Sequence, residues 1–212
     1  GVFEVRFEYD EYRNRIKETY YGNNGNRILT AGGISGISRD YNDDGLESIV
    51  SNLGIDDQIK NNSSGFSAIQ KKYDEYGNLA SKDFLGIDGQ KINLKDIKYS
   101  KITYEYNPSG ILTKFFYFNS QNKPIITPEC NCQQTEVEYD EQINLIKTTY
   151  KNDKGQLVDN PEGFAYLENT YNGFSLIKTS FFDSQKNLIM CEGIENILRA
   201  AEGYHYDKEG FL

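Results

Sequence analysis

The sequence is poor in the residue types on which most catalytic and metal sites depend. Its 212 residues include one histidine, three cysteines, one methionine, four prolines and no tryptophan. A mechanism with a histidine base would have to use His205, and no motif places a nucleophile beside it. No glycine-rich phosphate loop stands between a strand and a helix. We therefore predict no enzymatic activity and no cofactor.

Long apolar runs and excess positive charge are also missing. No run approaches the ~20 apolar residues that cross a bilayer, so we predict no membrane insertion. The formal net charge is −9, the pI is about 4.8 and the mean hydropathy is −0.69. Nucleic acids are held mainly by lysine and arginine contacts, so an acidic chain is a poor candidate for binding them.

Tyrosine, phenylalanine and glycine are abundant, and the tyrosines recur at a fixed period. We call six of them the anchor tyrosines; their spacings are 32, 32, 33, 33 and 32 residues. The pair Tyr206-Asp207 opens a further, truncated unit. A constant period in this range is typical of a repeat array. The anchor tyrosines are Tyr9, Tyr41, Tyr73, Tyr106, Tyr139 and Tyr171.

Each repeat predicts a β-hairpin. Positions two and four residues before the anchor share its face of a strand, whereas the intervening positions are polar throughout. A turn follows, with glycine at Gly45, Gly77 and Gly110, and the chain then returns over 79–85 to paired apolar residues such as Phe84-Leu85. A second turn, at the column of Gly25, Asp57, Gly89, Asn122, Gly155 and Lys186, leads to a short apolar stub.

The predicted fold class is therefore all-β, with tandem β-hairpin repeats forming an elongated, twisted antiparallel sheet or solenoid-like array. We predict one continuous domain over 1–212 with about six and a half units, and we leave open whether the array closes and what covers its apolar face. The units are 1–32, 33–64, 65–97, 98–130, 131–162, 163–196 and a partial unit at 197–212.

The cysteines allow three interpretations. Cys132 falls in an apolar column, so the simplest is a buried core side chain. Cys130 and Cys132 could form half of a metal site, but no second Cys/His pair completes it. A disulfide between Cys130 and Cys191 is the third interpretation, and it would suit a secreted protein.

One short motif resembles the start of a calcium-binding loop. Asp40, Asn42, Asp44 and Gly45 follow the required order, but Ser51 stands where the bidentate glutamate is due. The same residues form the predicted hairpin turn of the second unit, so we favour a turn and predict no metal.

The aromatic columns are the one feature with binding potential. Tyrosines in a row on a sheet can stack on sugar rings or pack against a protein. Alternatively, they form the internal ladder of the array. Val5, Ile69 and Ile102 stand four residues before an anchor tyrosine and so share its face of the strand. We therefore predict that the anchor tyrosines lie on the buried face.

Residues 73–79, Tyr-Asp-Glu-Tyr-Gly-Asn-Leu, with Tyr9-Asp10 and Tyr139-Asp140, resemble the YD-type repeats of bacterial surface proteins, which are related to Rhs repeats. This chain looks like a degenerate variant with a period of ~32 residues. Arg13 and Ile143 replace the turn glycine, and asparagine replaces the aspartate at Asn42, Asn107 and Asn172. The resemblance implies an exported bacterial protein with a role in display, adhesion or recognition.

We therefore expect a non-catalytic interaction scaffold that binds a protein or carbohydrate partner, located at the cell surface, outside the cell or in the periplasm. One alternative is a carbohydrate-binding module that uses exposed tyrosines, and another is an accessory segment of a larger enzyme or toxin. Because the chain starts at Gly1 and not at methionine, we also expect a fragment or a processed form.

Overall fold

The computed structural model describes residues 1–190 of the chain. The all-β prediction is confirmed, because thirteen antiparallel strands form one open sheet whose spatial order follows the chain order. The described residues contain no helix. The strands are β1 Glu4–Tyr9, β2 Arg15–Tyr21, β3 Gly36–Tyr41, β4 Glu47–Leu53, β5 Ala68–Tyr73, β6 Leu79–Leu85, β7 Lys101–Tyr106, β8 Leu112–Phe118, β9 Gln134–Tyr139, β10 Leu145–Lys151, β11 Tyr166–Asn172, β12 Ser175–Phe182 and β13 Leu188–Ile189.

The first turn of each unit joins its two long strands, and the third unit shows how. The Asp74 N–H donates to the Asn78 carbonyl at 2.9 Å, and the Gly77 N–H donates to the Asp74 carbonyl at 3.1 Å. The Asp74 carboxylate accepts the N–H groups of Tyr76 and Asn78 at 3.0 and 2.8 Å. An aspartate or asparagine therefore recurs here because its side chain closes the turn.

Three turns per unit each need one residue in the left-handed region. Gly77 has a φ of 82°, and the residues that replace glycine in its column, Arg13 and Ile143, keep φ values of 67° and 65°. The predicted second-turn column also has positive φ throughout, Lys186 included. A third set, in the loop before each hairpin, comprises Gly33, Gly65, Lys98, Asn131 and Gly163.

Pairing within a hairpin is long, whereas pairing between hairpins is short. The β5–β6 ladder runs from the pair Ala68–Leu85 to the pair Tyr73–Leu79. Between β4 and β5 there are three pairs, beginning at Ser51–Ala68. The far end of each return strand pairs instead with the stub, as in the bridge between Leu85 and Lys91. Neighbouring hairpins are therefore joined in the middle and separate toward their turns.

The largest core lies at the end of the sheet where the stubs and loops are found. Phe84, Tyr99 and Tyr117 form a chain of ring contacts, with centroids 5.8 and 5.1 Å apart. Leu94 is buried among them, and partly buried stub and loop residues pack against the cluster. These are Ile97, Ile125 and Val158. The stubs and loops therefore cover the apolar face at this end.

The anchor tyrosines are less buried than the sequence predicts. Five are half-buried, and Tyr9 is 58% exposed. They lie beside the turns, where the core has ended and the sheet is a single layer. The intervening column directly before each anchor is exposed in every described unit, as the alternation predicts.

The cysteine predictions need correction. Cys130 and Cys132 form a disulfide with each other, and both are buried. Cys132 occupies the predicted core position, but it is half of a disulfide and not a free thiol. Because both sulfurs are used in this bond, the pairing of Cys130 with Cys191 and the half metal site are excluded. Asn131, between them, has a φ of 48°, so the chain reverses tightly enough to bring the two sulfurs together.

Candidate binding surface at the hairpin turns

The first turns of successive units form one end of the sheet, which we call the turn edge. It comprises residues 10–14, 42–46, 74–78, 107–111 and 140–144. Grooves open between neighbouring turns at equivalent places. Groove A, between units one and two, has a volume of about 710 Å³. Groove B, between units three and four, measures about 730 Å³, and groove C, between units five and six, about 550 Å³.

The grooves form because pairing between units stops short of the turns. In groove A the β2–β3 ladder ends at Lys17–Ser38, and the strands diverge beyond it. Tyr41 crosses the opening and donates its hydroxyl to the Arg15 carbonyl at 3.0 Å. Equivalent bonds at 3.0 and 3.1 Å run from Tyr106 in groove B and Tyr171 in groove C. Tyr41, Tyr106 and Tyr171 thus line the grooves and join consecutive units.

Two further tyrosines project from the turns themselves. Tyr12 lines groove A and is 78% exposed, and Tyr76 lines groove B and is 81% exposed. These two tyrosines lie outside the anchor column, and their place in a groove was not predicted from the sequence. The repeated words Asp10-Glu11-Tyr12 and Asp74-Glu75-Tyr76 indicate it, because the third residue of such a turn has its side chain in solvent.

Groove A carries more charge than its counterparts. Asp40, Asp43 and Asp44 line it and are exposed, and their carboxylates make no hydrogen bond or ion pair within residues 1–190. Arg39 also lines it, with only 9% of its side chain exposed. In grooves B and C, the position equivalent to Arg39 is occupied by Tyr104 and Asn169.

Arg39 belongs to a chain of ion pairs across four strands. Its Nη2 lies 3.3 Å from Glu18, its Nε lies 3.0 Å from Glu47, and Glu47 also pairs with Lys71. Burial acts to raise the pKa of Glu47, but Lys71 and Arg39 together hold it below its usual value. Arg39 Nη1 is buried without a hydrogen-bond partner among the described residues.

The turn aspartates are engaged in all three grooves, and in groove A this is Asp10, which accepts from Asn14. Asp74 in groove B and Asp140 in groove C each accept a side-chain hydrogen bond from the asparagine four residues later, at 3.0 and 2.9 Å. Those bonds, with the main-chain N–H groups of the turn, lower the pKa of both carboxyls. Their first task is therefore to hold the turn.

The calcium-like motif is a turn, as predicted. Asp40 lies in β3, and the Asn42 side chain accepts the Leu46 N–H at 2.8 Å. Residues 1–190 bring together no group of three or more histidine, cysteine or acidic side chains suited to a metal ion.

The predictions about His205 and the Tyr206-Asp207 unit lie outside the described residues. Across residues 1–190, no helix has the length and apolar character needed to cross a membrane.

Comparison with known proteins finds structural likeness but no match to a family model or a curated protein. Among solved structures, the chain is similar to part of the Photorhabdus luminescens Tc holotoxin pore, at 11% identity and a TM-score of 0.38. The match covers 85% of this chain but 10% of that one, so the chain spans about a tenth of the toxin chain's length.

Proposed function

We propose that the chain is a non-catalytic interaction scaffold that binds its partner at the turn edge. The observation that carries this proposal is the recurrence of the same groove between units one and two, three and four, and five and six. A surface built three times at equivalent positions of the repeat is suited to a partner that makes repeated contacts, because each weak contact raises the effective concentration for the next.

The chemistry of the grooves supports binding more than catalysis. The hydroxyls of Tyr41 and Tyr106 are bonded to main-chain carbonyls, and the Asp74 carboxylate closes a turn. These groups give the grooves a fixed shape, while Tyr12 and Tyr76 offer exposed rings at the rim. Rigid aromatic side chains lose little conformational entropy on binding, so they are effective contact residues.

A carbohydrate-binding module is the second candidate, and the exposed rings of Tyr12 and Tyr76 favour it. Tyrosine faces stack on the C–H faces of sugar rings. A location outside a bacterial cell or in its periplasm, which the YD-type resemblance implies, is part of both proposals.

The test compares the turn edge with the opposite edge. The wild-type chain is screened on a glycan array and against a displayed peptide library, and the ligands found are measured by titration calorimetry. The double variant Tyr12→Ala/Tyr76→Ala should lose most of the affinity, whereas Ile87→Ala, an exposed apolar residue in a second turn, should keep it. Loss with Ile87→Ala and retention with the double variant would overturn the proposal.

A further inference from the structure

Two joints of the array bring the stub of one unit against the second turn of the next unit through polar side chains. Between units one and two, Arg27 Nη1 lies 2.8 Å from the carboxylate of Asp57. Between units three and four, Lys91 Nζ donates to the side-chain oxygen of Asn122 at 2.8 Å. Lys91 stands in the column of Arg27, and Asn122 in the column of Asp57. The same place in the repeat therefore holds an ion pair in one joint and an amine beside an amide in the other.

A buried carboxylate completes the joint between units three and four. Asp83 in β6 has 2% of its side chain exposed, and its Oδ1 lies 2.7 Å from Lys91 Nζ. That oxygen makes no aligned hydrogen bond among the described residues, so its contact with Lys91 is one of charge. Thr19 occupies the equivalent position in unit one, where no carboxylate faces the stub. Lys91 is thus held between a buried acid and a side-chain amide.

This arrangement places the three groups that an amide exchange needs within reach of one another. Transfer of a proton from Lys91 Nζ to Asp83 Oδ1 gives a neutral amine and a carboxylic acid, which a water-poor site accommodates better than separate charges. The Asn122 amide carbon is one C=O bond, about 1.2 Å, beyond the contacted oxygen, so it lies at most about 4.0 Å from Nζ. Reacting atoms meet at about 3–3.5 Å, a distance that the flexible lysine side chain can reach.

From this geometry we infer that Lys91 and Asn122 form an intramolecular isopeptide bond, with Asp83 as the proton carrier. The Nζ lone pair attacks Cγ of Asn122, a C–N bond forms, and the carbonyl electron pair moves onto Oδ1. Asp83 carries protons from Nζ to the departing amide nitrogen, the bond from Cγ to Nδ2 breaks, and the carbonyl re-forms. One ammonium and one primary amide thereby become one secondary amide and one ammonium ion, without an oxidant, a reductant or a cofactor.

The exposure of the groups suits this reaction. The acid is sealed from water, 28% of the Lys91 side chain is exposed, and Asn122 is an exposed turn residue, so ammonia can leave directly to solvent. The joint between units one and two does not react, because a guanidinium stays charged and is not a nucleophile. Lys17 and Arg27 together hold the pKa of Asp57 below its usual value, which keeps that joint an ion pair.

Mass spectrometry of the folded chain, residues 1–212, tests the inference after the disulfide is reduced. The intact mass should be lower than that of the sequence by one ammonia, about 17 Da. Trypsin does not cut after an acylated lysine, so the digest should contain a branched peptide that joins residues 83–95 to residues 115–147. Fragmentation of this peptide should place the branch between Lys91 and Asn122.

Two conservative variants should abolish the bond and leave the fold intact. Lys91→Arg keeps the cation beside the buried carboxylate but removes the nucleophile. Asn122→Gly introduces the residue that the same column has at Gly25, Gly89 and Gly155, so the turn keeps its positive φ while the amide is lost. Both variants should have their full sequence mass and give no branched peptide.

Two further variants test the role of the buried acid. Asp83→Asn should accumulate the branched peptide at least about tenfold more slowly than wild type, in a chain that circular dichroism shows to be folded. Arg27→Lys/Asp57→Asn rebuilds the amine and the amide in the joint between units one and two, where Thr19 replaces the acid, and should remain unlinked at that joint. This double variant decides the role of the acid if Asp83→Asn does not fold.

The contrary results are equally distinct. Wild-type chain at its full sequence mass, with linear peptides 83–91 and 115–147, overturns the inference. Loss of ammonia without the branched peptide indicates a cyclised asparagine at Asn24-Gly25 or Asn172-Gly173 and also overturns it. Linkage in Asp83→Asn at the wild-type rate, or at the rebuilt joint, overturns the assignment of Asp83. None of these results bears on binding at the turn edge, because the joint lies at the second turns.

Discussion

Tyr73 donates its hydroxyl to the main-chain oxygen of Glu47, 2.9 Å away and 26 residues earlier in the chain. The equivalent bonds of Tyr41, Tyr106 and Tyr171 span 26, 27 and 26 residues. Four of the six anchor tyrosines therefore hold consecutive hairpins together where the ladder between them has ended. Their period reflects this bond more than burial in a core.

The first prediction concerns this bond. Tyr73→Phe should lower the free energy of unfolding by about 1 kcal/mol, because it removes the hydrogen bond that the Glu47 carbonyl accepts from the tyrosine hydroxyl. Urea denaturation followed by circular dichroism measures the change. Tyr76→Phe, three residues later and 81% exposed, is the control and should differ from wild type by less than about 0.5 kcal/mol. Equal effects of the two substitutions would contradict the assigned role.

The second prediction concerns the turn position that glycine normally occupies. Ile143 has a φ of 65°, a conformation that costs a β-branched residue about 1–2 kcal/mol. Ile143→Gly removes this strain, but glycine also raises the conformational entropy of the unfolded chain, which offsets part of the gain. The net effect should be an increase in the free energy of unfolding of about 0.5–1 kcal/mol. Differential scanning calorimetry should show a higher Tm.

Gly77→Ala is the matched reverse change. Gly77 has a φ of 82°, and the nearest atom to an added Cβ is Leu46 Cδ1 at 3.8 Å, so there is space for the methyl group. Any loss of stability, about 1 kcal/mol, then comes from the backbone alone. A stabilising effect of Gly77→Ala, or a destabilising one of Ile143→Gly, would refute this account of the turn.

Most of the fold could be predicted from the sequence because every unit carries the same strand and turn signals at the same spacing. The Tyr73 column, the glycine at Gly77 and the return segment 79–85 mark the same hairpin many times, so local propensity and long-range period agree. Lys186 could be assigned to the second turn only through this period, since lysine by itself gives no reason to expect a positive φ.

The grooves could not be predicted, because they arise from where pairing stops. The β2–β3 ladder ends at the pair Lys17–Ser38, and no residue type or pattern in either strand predicts that end. The alternation pattern gave the correct face for Tyr41 but not the amount of cover over it, which depends on the reach of the loops from the opposite edge. The Cys130–Cys132 disulfide was not predicted, although Asn131 stands in the column of Gly33 and Gly65. The left-handed conformation of that column supplies the tight reversal that two cysteines separated by one residue need.

The third prediction concerns that disulfide. In denaturant without reductant, a maleimide should label one cysteine per chain, and the labelled tryptic peptide should contain Cys191. After reduction all three cysteines should react. Denaturant removes the effect of burial, so the count reports covalent pairing only. Labelling of Cys132 without reductant would support the alternative pairing of Cys130 with Cys191.

The fourth prediction concerns the ion pairs of Glu47 with Lys71 and Arg39. The pKa of Glu47 is lowered in the folded state, so its contribution to stability is present above the unfolded pKa and is lost as pH falls through the folded one. Glu47→Gln should cost about 1 kcal/mol at pH 7, and much less near pH 3. Urea denaturation at both pH values measures this. Glu75→Gln, in an exposed turn, is the control and should change the free energy of unfolding by less than about 0.5 kcal/mol at pH 7.

The last prediction lies at alkaline pH. Burial raises the pKa of Tyr104 and of Tyr117 to about 12 in the folded chain. Tyrosines in the unfolded chain ionise first, at their usual pKa of about 10. This contribution to stability is therefore fully present below pH 10 and falls as pH rises toward 12. Tyr117→Phe should reduce that decline by roughly 2 kcal/mol, since one side chain no longer ionises in the unfolded state. Urea denaturation at pH 8, 10 and 11.5 gives the decline, and the tyrosinate absorbance of the folded protein should lag behind that of the denatured one. An equal decline in wild type and Tyr117→Phe would show that Tyr117 ionises as readily in the folded chain, which the packing of its ring 5.1 Å from that of Tyr99 argues against.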